Sequence, residues 1–159
     1  MAQAKTNAQR ILERAGVAYL PHSFEVEAGH LDGVTAAQKL GLPAERVYKT
    51  LVARGASKGV YVFVIPVALE LDLKAAARAV GEKSVALVAL KELLPLTGYV
   101  RGGCSPVGMK KRYPTVIDES ALAQETIAVS AGHIGMQAEL SPQELASLIG
   151  ARFAPIVCK

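Results

Sequence analysis

The sequence predicts a mixed α/β (α+β) fold in one domain, and three observations carry that prediction. Segments with apolar residues at helical spacing, several closed by a glycine, interleave with short runs rich in β-branched and aromatic residues. No linker, internal repeat or low-complexity stretch interrupts them. The chain has 159 residues, 51% of them hydrophobic, which is ample material for a single core.

Taken in order, Thr6 or Asn7 can cap a first helix in which Ile11, Leu12 and Ala15 recur at helical spacing before Gly16 stops it. Tyr19 to Val26 alternates loosely and predicts a strand. Thr35 to Leu40, closed by Gly41 and Pro43, predicts a second helix. Val47 to Ala53 and Val60 to Val67 read as paired, antiparallel, central strands, with Ser57-Lys58-Gly59 as the hairpin turn between them. Asp72 caps a helix through Leu73, Ala76, Ala77 and Val80 that Gly81 ends. Val85 to Leu87 is a short strand, Leu90 to Leu94 another helix, and Thr97-Gly98-Tyr99 leads into a glycine loop. Thr115 to Asp118 and Thr126 to Ser130 predict strands. Ser141-Pro142-Gln143-Glu144 starts a last helix with a serine cap, proline at the first position and an acid behind it; that helix ends near Gly150.

The net charge is +4, from 18 basic and 14 acidic residues, an excess that permits a polyanionic partner without requiring one. Cys104 and Cys158 lie far apart, with no Cys-x-x-Cys pair and no His-x-x-x-His spacing. A zinc site or disulfide framework is therefore not expected, and a reducing cytoplasm is. Gln9 and Arg10 interrupt the amino terminus where a signal peptide needs an apolar core, and no run approaches the roughly 20 apolar residues of a spanning helix. The expectation is a soluble protein with no membrane segment, metal or cofactor.

Chemistry concentrates in Gly102-Gly103-Cys104-Ser105-Pro106-Val107-Gly108, where glycines, a hydroxyl and a proline-locked turn can present backbone N–H groups to an anion or a polarised carbonyl. Lys110, Lys111 and Arg112 follow at once and suggest an esterified or phosphorylated ligand. Two better-known motifs fail. A nucleophile elbow needs a second glycine where Val107 stands, and a Walker loop needs glycines before Lys49-Thr50, which instead follows Arg46-Val47-Tyr48.

On the strand Val47 to Val52, period-2 geometry puts Lys49 on one face with Val47 and Leu51, and Tyr48, Thr50 and Val52 on the other. Lys49 is then either an edge gatekeeper or snorkelling side chain, or the cation at the floor of a pocket. Thr50 is a strand former or a substrate contact, and Ser105 a turn hydroxyl or a ligand. Cys104 is an inert buried thiol or a nucleophile that lacks an identifiable partner histidine. A second glycine loop, Ser130-Ala131-Gly132-His133-Ile134-Gly135, brings an imidazole that is either exposed or substrate-orienting. His22 and His30 have no comparable setting. The basic run is a solvated turn or a set of phosphate contacts.

Val47-Tyr48-Lys49-Thr50-Leu51, Pro66-Val67, Leu71-Asp72-Leu73-Lys74, Thr97-Gly98-Tyr99, the first glycine loop with its basic run, Thr115 to Asp118 and Val129-Ser130-Ala131-Gly132 together resemble, in order, the bacterial YbaK/EbsC family. The resemblance runs from about Asn7 to Phe153. It implies a free-standing aminoacyl-tRNA deacylase similar to the editing insertion of bacterial prolyl-tRNA synthetase, with a mixed, mostly antiparallel β-barrel-like core flanked by helices. It implies mischarged tRNA as partner, through its acceptor end, and prolyl-tRNA synthetase beside it. Members clear cysteine from proline tRNA, and other branches clear alanine. The family lysine maps to Lys49, and the glycine loops map to Gly102-Gly103 with Ser105-Pro106 and to Gly132 with its neighbours. Gln137 stands where the family carries an acid after the second loop, and His133 takes the place of that loop's basic residue. The aromatic near the second helix is not at Asp32-Gly33, although Phe24 can supply that wall.

The resemblance implies that the reactive ester needs no protein nucleophile. Lys49 orients the terminal phosphate or ribose, N–H groups near Gly103 and Gly132 receive the developing charge, and Lys110, Lys111 and Arg112 contact tRNA. A cysteinyl substrate can expel the tRNA hydroxyl with its own thiolate and leave as a thiolactone. Water-mediated removal of alanine, a noncatalytic tRNA- or synthetase-binding module, and a redox protein built on Cys104 are the competing readings.

Overall fold

The computed structural model describes residues 5–25 and 33–158; Val26, His30 and Asp32 of the readings above lie outside them. Local capping chemistry sets the helices. The Thr6 hydroxyl accepts from the Gln9 N–H at 3.1 Å while the Gln9 side chain accepts from the Thr6 N–H at 3.0 Å, which starts α1 (Asn7–Arg14). Its buried stripe is Ala8 and Leu12; Ala15, expected in that stripe, is exposed beyond the helix end. Strand β1 (Tyr19–Ser23) and α2 (Gly33–Leu40) follow. Asp72 Oδ1 accepts from Lys74 and Ala75 N–H at 3.1 Å each to start α3 (Leu73–Val80). Helix α4 (Leu90–Thr97) continues past the expected Leu94. Pro95 leaves only the Lys91 carbonyl of the exposed first turn without its bond, and Thr97 Oγ1 donates to Leu93 O at 2.7 Å. Ser141 caps α5 (Pro142–Ile149) by accepting from the Glu144 N–H, and Gly150 closes it.

Strands β2 (Tyr48–Gly55) and β3 (Val60–Pro66) form the expected antiparallel hairpin, with Lys49 opposite Ile65 and Thr50 opposite Val64. The positive φ of its turn belongs to Lys58, at 74°, rather than to Gly59. Both faces of β3 are covered: Val62 and Val64 enter one cluster, Phe63 and Ile65 another. The first cluster also holds Leu12, Ile117, Ile127 and Leu140; the second lies under α3 at Ala76 and Ala77. Strand β4 (Val85–Leu87) pairs antiparallel with β2, β5 (Thr115–Asp118) runs parallel to β3, and β8 (Arg152–Ala154) runs parallel to β5. The result is a five-stranded sheet, ordered β4-β2-β3-β5-β8.

A second, antiparallel sheet has the order β1-β7-β6, from β6 (Ile127–Ser130) and β7 (Met136–Leu140). The barrel-like closure implied by the resemblance does not form. Among the described residues the two sheets are joined by one bridge, Val47 to Ala128. A barrel requires every edge strand to be paired, and the three-residue edges β4 and β8 do not reach β1 or β6. Four pairings are antiparallel and two parallel, so the sheets are mixed and mostly antiparallel as expected.

Candidate functional site

A cavity of about 340 Å³ opens where the start of β2, the β6–β7 turn and the glycine loop converge. On β2 the alternation holds: Tyr48 and Val52 enter the cluster shared by the two sheets, and Lys49 turns to the other face with Leu51. Lys49 lines the cavity half-buried, and its ammonium has neither ion pair nor hydrogen bond with any described residue. Strand β2 is flanked by β3 along its length but by β4 only from Ala53 to Gly55, so Lys49 sits on a segment of β2 that opens to the cavity. Thr50, Phe24, Gly102 and Gln137 also line the cavity. So does Arg101, an exposed cation that sequence reasoning passed over because the longer basic run stands nearby.

Gly103 explains how the two glycine loops meet. A Cβ there would stand 3.0 Å from the Ile134 N and 3.2 Å from the His133 carbonyl carbon, so only glycine lets the backbones approach. Its neighbour Gly102 supplies the positive φ, 87°. Tyr99 braces the pair from behind: its hydroxyl donates to Val107 O at 2.6 Å, and its ring packs where a Gly132 Cβ would be 3.0 Å away. Burial pushes the Tyr99 phenol up to about 12, so it remains a donor.

The N–H groups of Gly103 and Gly132 are already engaged, with Val100 O at 3.0 Å and Ser130 Oγ at 3.2 Å. Their neighbours Gly102, Ile134 and Gly135 line the cavity, and their N–H groups donate to no described residue. Ser105 is buried and its Oγ accepts from the Val107 N–H at 3.1 Å, which is the turn role. His133 is exposed, with Nδ1 donating to Ile134 O at 2.9 Å, and does not line the cavity. Cys104 does line it, but burial pushes its thiol up to about 11, so it is uncharged at neutral pH and a poor nucleophile.

The basic run lies elsewhere. Lys111, Arg112 and Pro106 border a second cleft of about 160 Å³ that shares no lining residue with the cavity. The Lys110 stem packs over Gly98, and Arg112 Nη2 donates to Leu148 O at 3.0 Å near the end of α5. Among the described residues no cluster of His, Cys, Asp and Glu could hold a metal, and no helix is long and apolar enough to cross a membrane.

Comparison with known proteins bears on this geometry. The aminoacyl-tRNA editing domain family matches residues 32–148. An Enterococcus faecalis protein named provisionally as a Cys-tRNA(Pro)/Cys-tRNA(Cys) deacylase, EbsC, is 46% identical over 157 residues, covering 99% of this chain and 96% of its own. A crystal structure described provisionally as a trans-editing enzyme for prolyl-tRNA synthetase superposes with a TM-score of 0.81 at 28% identity, covering 98% of this chain and 100% of its own. That of a hypothetical protein, APE2540, gives 0.87 at 25% identity, covering 96% and 100%. With the editing-domain match spanning residues 32–148 and 46% identity to the Enterococcus faecalis relative over nearly the full length of both, the chain belongs to the aminoacyl-tRNA editing domain family.

Proposed function

We propose that this protein is a cytoplasmic deacylase that clears cysteine from mischarged tRNA(Pro), and also from tRNA(Cys), acting in trans beside prolyl-tRNA synthetase. The observation that carries the reading is Lys49, without a partner among the described residues, on the wall of a cavity sized for a small aminoacyl group. The acceptor end enters with its terminal ester between the two glycine loops. Lys49 and Arg101 hold the terminal phosphate or ribose, while Lys110, Lys111 and Arg112 make sequence-independent contacts with the rest of the tRNA. Phe24 and Thr50 enclose the aminoacyl group, and Gly102, Ser105, Pro106 and His133 shape the loops around it.

For a cysteinyl ester the substrate thiolate attacks its own carbonyl carbon. A C–S bond forms, the C–O bond to the ribose breaks, the ribose oxygen takes a proton, and the amino acid departs as a thiolactone. The carbonyl oxygen carries the charge between the two events. Gly103 and Gly132 act by holding the loops in place, so that the unengaged N–H groups of Gly102, Ile134 and Gly135 face that oxygen.

The test is deacylation of cysteinyl-, alanyl- and prolyl-tRNA(Pro) and of cysteinyl-tRNA(Cys), with the product assayed for thiolactone. Cysteine release with thiolactone is expected; release of alanine alone moves the reading to water attack, and tRNA binding without turnover moves it to a binding module. Lys49→Ala is expected to lower kcat/KM by on the order of 100-fold or more with the fold intact. A folded variant with near-normal turnover would remove Lys49 from the mechanism.

A further inference from the structure

Gln137 is the side chain for which this mechanism has no use. It is 7% exposed, it lines the cavity at the start of β7, and its Oε1 is shut away from solvent without a hydrogen-bond partner among the described residues. Thr50 Oγ1, from β2, is a second such atom in the same wall. Buried polar atoms are almost always paired, because leaving one unpaired costs its full desolvation. An orphan acceptor in a cavity wall therefore marks where a ligand donor belongs.

We infer that Gln137 Oε1 accepts a hydrogen bond from the α-amino group of the esterified amino acid, so that the site takes esters with a free amine and rejects N-acylated ones. This rests on the deacylase reading. An aminoacyl-ribose ester brings two strong donors, the amine and the vicinal ribose hydroxyl. Depth separates them. The aminoacyl group is the tip of the substrate and penetrates furthest, where the nearly buried Gln137 sits; the ribose and phosphate stay with the half-buried Lys49 and the exposed Arg101. A carboxamide suits that place, since it accepts from an amine without forming an ion pair with Lys49 or Arg101. N-acylation removes the charge, leaves a single N–H and adds bulk in a small cavity.

The experiment compares kcat/KM for cysteinyl-tRNA and N-acetylcysteinyl-tRNA. The protein as it stands is expected to favour the free amine by on the order of 100-fold, since N-acylation replaces a charge-assisted donor with a weaker, single amide N–H and sets an acyl group against the Gln137 oxygen. Gln137→Met, close to isosteric and free of the orphan oxygen, should cut that preference to about 10-fold or less, through loss on the cysteinyl substrate. Its Tm should stand at or above that of the unaltered chain. Equal turnover of the two substrates overturns the inference and leaves the deacylase reading standing, whereas turnover of neither removes both. A clearly lower Tm for Gln137→Met, or an equal loss on both substrates, assigns Gln137 to structure and overturns it. A third substrate, cysteinyl-tRNA ending in a deoxyadenosine that lacks the vicinal hydroxyl, checks the alternative donor: if the Gln137→Met effect disappears there, the oxygen reads ribose and the amine assignment falls.

Discussion

Cys104 is the residue whose sequence context and surroundings disagree most. Its place in a glycine loop invites a nucleophile, yet it is 7% exposed and its thiol is raised from 9.0 to about 11 by burial, against a smaller opposing pull from Thr97. At pH 8 a shift of that size cuts the thiolate fraction by about 100-fold relative to an unperturbed cysteine. Two outcomes are expected. Iodoacetamide should modify the exposed Cys158 first and Cys104 at least about 100-fold more slowly, read by mass spectrometry over time. Cys104→Ala should retain deacylation within about 3-fold, and complete loss in a folded variant would restore a protein thiolate to the mechanism. Lys49 was legible because a lysine inside an apolar strand breaks a local pattern. Arg101 and Tyr99 break none, and their importance comes only from what the fold sets beside them.

At the scale of elements, the three-stranded sheet is held by a polar contact that alternation alone does not reveal. Glu139 on β7 accepts from the Thr126 hydroxyl at 2.5 Å, just before β6, and pairs with His22 on β1 at 2.8 Å. The Thr126 bond first, and His22 second, hold its carboxyl below the ordinary value. A depressed carboxyl stabilises the fold fully above its unfolded pKa, near 4.3, and ceases to do so as pH falls through the lower folded value. Glu139→Gln should therefore cost on the order of 1 kcal/mol at pH 7, with the gap closing below about pH 4. Urea midpoints at pH 7, 5 and 3.5 measure it, and a gap independent of pH would assign the loss to packing. Strand β7 itself was readable, since Met136, Ala138 and Leu140 alternate with Gln137 and Glu139; the preceding glycine loop drew attention away from it. Strand β8, three residues long, carries too little pattern to be seen before β5 pairs with it.

Across the whole molecule, Asp118 ties the carboxy-terminal segment to the central sheet. It is 2% exposed; Oδ1 accepts from the Ile156 N–H at 3.0 Å and Oδ2 from the Ser120 N–H at 3.2 Å. Asp118→Ala would leave the buried Ile156 N–H and the part-buried Ser120 N–H unpaired and should cost about 3 kcal/mol, or about 10 °C in Tm, with Asp118→Asn recovering part of it; a calorimetric loss under about 1 kcal/mol would dismiss the tie. The tie joins residues 38 apart in sequence, and the same separation of scales runs through the molecule. By itself the sequence determined most of the helices and their caps, the β2–β3 hairpin, the lysine inside an apolar strand and the two glycine loops. Those depend on hydrogen bonds and periodicities that span a few residues. Only the tertiary structure decided that the sheets stay unclosed, that Gly103 and Gly132 spend their own N–H groups internally, that Arg101 rather than the Lys110–Arg112 run reaches the cavity, and that Gln137 Oε1 is buried with no partner among the described residues. Each of these is set by which distant backbones and side chains arrive at the same place, and no local pattern records that.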